Sequence, residues 1–172
     1  MIDCSKCKSC YLSKICTPIN SIHGNEPKIF GIDYKPGSEE QITERAWYGR
    51  TGQLGIKLLT EKFDRKELYL TYLVKCCVGL TKNKEVELCK TSWLLKEIQE
   101  VKPSWLFLFG KELAKKFLKI SKVEVGQVGY YNFKDWGDIH YKYVVLNSLQ
   151  KCLDSKEKFD ENRGLIKNVG IY

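Results

Sequence analysis

The sequence predicts a three-layer α/β/α sandwich around a central, mostly parallel four-stranded sheet, with a cysteine-rich segment at the N-terminus. Three observations lead there. Strand-like and helix-like segments alternate along the chain. One run, Trp105-Leu106-Phe107-Leu108-Phe109, is apolar at every position, as in a parallel strand covered on both faces. Finally, Cys4, Cys7, Cys10 and Cys16 crowd the start of the chain, in a stretch whose Lys6, Lys8 and Ser9 make it too polar for a core.

The elements follow in order. Residues 28–33 form a short apolar strand ended by Lys35-Pro36-Gly37. Gly49, Gly52 and Gly55 punctuate the approach to a helix over 53–59, and residues 68–74 supply the second strand. A helix over 84–101 carries Val86, Cys89, Trp93, Leu94, Ile98 and Val101 on one stripe, and Pro103 closes it. The run 105–109 is the third strand, and Gly110 turns it into a helix over 111–120. Residues 141–146 make the fourth strand, which runs into Asn147-Ser148 and a lysine-rich amphipathic end.

The chain has 172 residues, of which 43% are hydrophobic and 12% aromatic, enough for a real core and incompatible with a disordered or collagen-like chain. We expect one domain over residues 1–172, with 1–27 packed on it as the cysteine-rich segment. No stretch approaches the ~20 apolar residues of a membrane helix. Met1 to Lys6 contain no apolar core of a signal peptide. The expectation is therefore a soluble cytoplasmic protein, microbial or viral, with no membrane partner.

Eight cysteines fall below the density of a disulfide-stapled secreted scaffold. The first four give two overlapping C-x2-C units; the others are Cys76, Cys77, Cys89 and Cys152. A C-x2-C loop lets two thiolates reach one ion or cluster from a single turn, and a second pair must come from elsewhere. Cys76, ending a strand, and Cys89, opening a helix, are that pair. Zinc and an iron-sulfur cluster both accept four cysteines. Cys16, Cys77 and Cys152 read as small buried hydrophobes.

In such a fold functional residues gather at the carboxyl ends of the strands, here the loops 34–37, 76–81, 110–112 and 147–151. Lys35, Lys75, Lys111 and Lys151 lie in or beside them, and the formal net charge is +8. A basic rim suits a phosphate backbone. No P-loop, dinucleotide fingerprint or Ser/His/Asp triad is present, and His23 and His140 stand in no motif-like context.

Cys7-Lys8-Ser9-Cys10-Tyr11-Leu12, Pro36-Gly37, Trp47 before Gly49-Arg50-Thr51-Gly52-Gln53-Leu54, Val74-Lys75-Cys76, Cys89, and Pro103 to Gly110 occur in an order and spacing that resembles the iron-sulfur (type 4) branch of the uracil-DNA glycosylase superfamily. The resemblance covers roughly residues 7 to 150. It implies a 4Fe-4S cluster on Cys7, Cys10, Cys76 and Cys89, with Cys4 as a spare or alternative ligand. It also implies a base pocket at Pro36, Gly37 and Trp47, and DNA, single- or double-stranded, against Lys35, Arg50, Lys75 and Lys151.

Three positions depart from the family pattern. Tyr34 stands where the first motif has its acidic residue. Tyr72 replaces the asparagine expected to read the base edge, and Asn147-Ser148-Leu149 replaces a histidine-containing motif that supports charge on the leaving base. Asp33 is the nearest carboxylate, but neighbours on an alternating strand point to opposite faces, which makes it a weak substitute. The expectation is a DNA-binding cluster protein in which uracil excision is lost or weak, serving DNA or a replication or repair partner. The alternative is an active glycosylase that flips out uracil or another altered base and hydrolyses its N-glycosidic bond.

Overall fold

The computed structural model describes residues 2–77, 79, 81–132 and 140–170. Positions 78 and 80 of the loop expected at 76–81 lie outside them. The sheet has six strands in the order β1-β3-β2-β4-β6-β5. Strands β2 (Ile29–Asp33), β3 (Leu68–Tyr72), β4 (Trp105–Phe109) and β6 (His140–Leu146) are the four expected ones, and all four run parallel. Two short antiparallel edges are added: β1 (Ile22–His23) on β3 and β5 (Val128–Asn132) on β6.

Alternation along the strands separates two cores. Phe30, Ile32, Leu106, Leu108 and Val145 face α1 (Leu12–Ile15), α4 (Asn83–Cys89), α5 (Leu95–Val101) and α6 (Lys111–Leu118). Ile29, Phe107, Phe109, Val144 and Leu146 face α3 (Arg50–Thr60), α7 (Leu149–Asp154) and α8 (Lys156–Asn168) on the other side. That is the three-layer arrangement, with both faces of the parallel strands covered. The short α2 (Ser38–Thr43) follows the Pro-Gly loop.

The helix expected over 84–101 is interrupted by a wider, π-type turn at Lys90–Leu94, directly after Cys89. Such turns shift the helix face by part of a turn. The strand-to-helix corner at Gly110 has φ +120°, a conformation closed to side chains without strain. Chain reversal at β2, with β3 on one side and β4 on the other, opens a crevice at the carboxyl ends of the strands. Among the described residues no helix is long and apolar enough to cross a membrane.

Candidate functional site

At that end of the sheet lies a cleft of about 330 Å³ lined by Asp33, Tyr34, Phe109, Lys111, Asn147, Ser148 and Lys151, among others. The ends of β2, β4 and β6 build it, so three of the expected loops meet there, while no described residue of the loop 76–81 lines it. Pro36 is buried and Gly37 exposed in the loop beside it.

Trp47 does not offer a stacking face. Its side chain is 0% exposed, edge-on to Phe109 and tilted against Tyr72, itself 3% exposed. The Trp47 backbone takes the left-handed conformation, φ +57°, and every polar group there is engaged. Its N–H donates to the Tyr72 hydroxyl oxygen at 2.7 Å, its carbonyl accepts from Gln53 Nε2 at 2.8 Å, and its indole N–H donates to Thr71 O at 3.2 Å. Tyr72, buried and hydrogen-bonded to the Trp47 backbone, thus braces the tryptophan.

The Gly-Arg-Thr-Gly-Gln-Leu segment serves this packing. A Cβ on Gly52 would lie 2.4 Å from Trp47 Cα, and one on Gly55 would lie 2.5 Å from the indole ring. Glu39 and Glu40, which the sequence reading passed over, pin the segment: Glu40 accepts from Gly37 N and Gly49 N at 2.9 Å each, and Glu39 accepts from Arg50 N at 3.0 Å. Gly52→Ala is expected to lower stability by about 3 kcal/mol, because backbone rather than a flexible side chain opposes the new methyl. Thermal unfolding checks it.

Asn147 is committed elsewhere. Its Nδ2 donates to Glu161 Oε2 at 2.9 Å and Asn162 Oδ1 at 3.3 Å, and its backbone N–H to Asn162 Oδ1 at 2.8 Å. Its amide is turned onto α8.

Asp33 corrects the strand-alternation expectation. It is the last residue of β2, and Tyr34 lies past the strand end, so both line the same cleft. Burial pushes the Asp33 carboxyl up to about 7, assisted by the charge of Glu40 and opposed by the hydrogen bond from Tyr34 N. An unfolded aspartate releases its proton near pH ~4. Between there and about 7 the folded chain holds a proton that the unfolded chain has lost, so stability should fall as pH rises across that window. Asp33→Asn is expected to flatten that slope in melting temperature against pH. Parallel curves for the two proteins would contradict it.

The four expected DNA-binding cations separate. Arg50 and Lys151 are exposed, and Lys35 reaches Gly79 O at 2.6 Å. Lys75 is not on the rim. Its side chain is 1% exposed because Nζ turns inward to both carboxylate oxygens of Glu97, at 2.7 Å each, with Thr71 and Ser21 completing the network. The available signal was Glu97 itself, an acid on the apolar stripe of a helix.

The cysteines gather on the opposite core's margin. Cys7 Sγ accepts from Trp93 Nε1 at 3.2 Å and from Ser9 N at 3.5 Å, and Cys89 Sγ accepts from Lys75 N at 3.3 Å. Burial alone would raise the Cys7 thiol, but hydrogen bonds from Ser9, Trp93 and Ser13 outweigh it and hold it below the ordinary value. Burial pushes Cys89 up to about 11 and Cys4 up to about 12, and Cys76 upward as well. Cys89 lies within electrostatic reach of Cys7 and Cys10, and Cys76 within reach of Cys10, Cys16 and Cys89. Cys16 shares a hydrogen bond with Cys76, so it stands beside the expected ligands as well as packing. Cys152 is buried against Asn162, as expected of a packing residue.

Comparison with known proteins places this geometry. The family model described as the uracil DNA glycosylase superfamily matches residues 22–164. A type-4 uracil-DNA glycosylase of Thermotoga maritima is 30% identical over 127 residues, 72% of this chain and 66% of that protein, so the match spans slightly under two thirds of the relative's length. With its parallel sheet, its crevice at the strand ends and its N-terminal cysteines, the chain belongs to the uracil-DNA glycosylase superfamily, on the type 4 branch.

Proposed function

We propose that this chain is a DNA-binding protein on the uracil-DNA glycosylase fold, holding a 4Fe-4S cluster, in which ordinary uracil excision is weak or absent. It serves DNA, and through it a replication or repair partner. The observation that carries the reading is the Trp47–Tyr72 pair: both rings are sealed, and the tyrosine oxygen is spent on the Trp47 backbone. A flipped uracil needs an aromatic face and a base-edge donor, and neither Trp47 nor Tyr72 offers one.

The cysteines fit the cluster. Among the described residues no three His, Cys, Asp or Glu side chains converge as a single ion requires. A four-iron cluster is a wider object, held at its corners by thiolates from separate segments. Cys7 and Cys10 share one such segment and Cys76 and Cys89 come from two others, and N–H groups already point at the sulfurs of Cys7 and Cys89. When bound, the cluster would supply a cross-link between residues 1–27 and the β3–α4 region, which makes the whole chain one domain. Chain contacts support the same union: Ile19 N donates to Lys75 O at 2.8 Å, and Ser21 Oγ to Glu97 Oε1 at 2.6 Å.

Binding to matched oligonucleotides, with uracil or thymine at one position, tests the reading. Equal affinity is expected for the two. It should fall with salt at a log–log slope of about −3 if Lys35, Arg50 and Lys151 each neutralise one phosphate. A marked preference for the uracil strand, or binding indifferent to salt, would overturn it.

A further inference from the structure

We propose that Cys16 is a reserve ligand of the cysteine centre, placed to take over the corner of the iron-sulfur cluster that Cys76 holds. The proposal rests on the reading that Cys7, Cys10, Cys76 and Cys89 bind the cluster, and it adds a thiol that this ligand set leaves out.

The thiols lie as a chain of neighbours. Cys89 interacts with Cys7 and Cys10, and Cys76 with Cys10 and Cys89. Two further thiols flank that group, Cys4 on the side of Cys7 and Cys89, and Cys16 on the side of Cys10 and Cys76. A four-iron cluster takes four thiolates, so both flanking thiols are in excess.

Their surroundings separate them. Cys4 is 1% exposed and tied down on every side. Its N–H donates to Asn20 Oδ1 at 2.7 Å, its Sγ to Ile19 O at 3.4 Å, and its carbonyl accepts from Cys7 N at 2.9 Å. Asn20 is held in turn by Asp3, and Ile19 by Lys75 O, so turning the Cys4 sulfur would undo the clasp between the chain start and residues 19–20. Cys16 follows α1 with extended backbone and is half-buried. Its backbone N–H is fixed on Leu12 O at 3.1 Å, but its sulfur makes only a long contact with the same oxygen, 3.5 Å. That sulfur also lies within hydrogen-bond reach of the Cys76 thiol and the Cys77 N–H, an arrangement like the N–H groups directed at Cys7 and Cys89. A rotamer change can therefore move the Cys16 sulfur while its backbone stays in place.

Access points the same way. Cys76 is 4% exposed and packs in the core with Leu12, Val74 and Val86. Cys16 instead lines a surface cavity of about 350 Å³, with Ser5, Ser13, Lys14 and Thr17 around it. It stands between solvent and the buried ligand. The exchange is a ligand substitution with no change of oxidation state: the Cys16 S–H proton passes to water as its sulfur bonds to iron, and the Cys76 sulfur leaves and takes up a proton.

The test measures iron and acid-labile sulfide in full-length protein reconstituted without air. Cys16→Ala should keep about four of each per chain, like the parent. Cys76→Ala should keep at least about half of both, adding Cys4→Ala should change nothing, and adding Cys16→Ala should bring the content near zero. Alkylation by iodoacetamide, located by peptide mass, gives a readout that needs no double variant. Cys16 should be modified in the loaded parent and protected in loaded Cys76→Ala. Cys76→Ala as empty as the double variant, loss on Cys16→Ala alone, dependence on Cys4 instead, or Cys16 alkylated in loaded Cys76→Ala would each overturn the proposal and leave the cluster reading standing. A parent that takes up no iron or sulfide would overturn both.

Discussion

Glu97→Ala is expected to destabilise the protein by about 3–5 kcal/mol, since it leaves the Lys75 ammonium buried without its partner. At the usual ratio for a chain of this size, that is a fall in melting temperature of roughly 6–20 °C. Glu97 and Lys75 are each 1% exposed, and the carboxylate also accepts from Ser21 and Thr71, at 2.6 and 3.0 Å. Replacing both charges together, as Lys75→Met with Glu97→Leu, should recover most of the loss, because two desolvated ions are exchanged for apolar packing. A melting temperature unchanged by Glu97→Ala would show that the pair is not the closed, water-free contact described. The pair matters to the site because Lys75 also donates its backbone N–H to Cys89 Sγ and its carbonyl receives Ile19 N. The motif lysine thus joins the N-terminal segment, a helix and the cysteine centre.

Cys89→Ala carries the second large effect. Iron and sulfide should drop from about four of each per chain to near zero. With the cross-link gone, trypsin should cut the N-terminal segment at Lys6, Lys8 or Lys14 much faster than in the parent. Cys152→Ala, buried on the far side against Asn162, should keep its iron and its protection. Full iron content in Cys89→Ala would remove this cysteine from the ligand set, and full protection would show that chain contacts alone hold residues 1–27.

Much of this was legible in residue patterns. The four parallel strands announce themselves because burial on both faces demands unbroken apolar runs, as at Trp105–Phe109. The edge strands β1 and β5 do not, since Ile22–His23 is only two residues long and Val128–Asn132 is half exposed, with little hydrophobic pattern to read. Within the site, the departures at Tyr34, Tyr72 and Asn147 were visible as residue types. Their consequences were not, because they depend on where a side chain turns. Tyr72 is buried with its hydroxyl on the Trp47 N–H, and Asn147 is drawn onto α8 by Asn162. Lys75 was misplaced for the same reason: a lysine beside a strand end reads as rim until Glu97, distant in sequence, supplies a buried partner. Asp33 escaped because strand alternation stops where the strand does.

The central claim is that the uracil position is closed by the protein's own side chains. Uracil release by cluster-loaded protein in excess over a uracil-containing single strand measures it most directly, since one turnover reports even a slow enzyme. We expect no abasic sites above the protein-free control. Complete conversion within minutes would contradict the account, because it would require Tyr72 and Trp47 to part and admit the base.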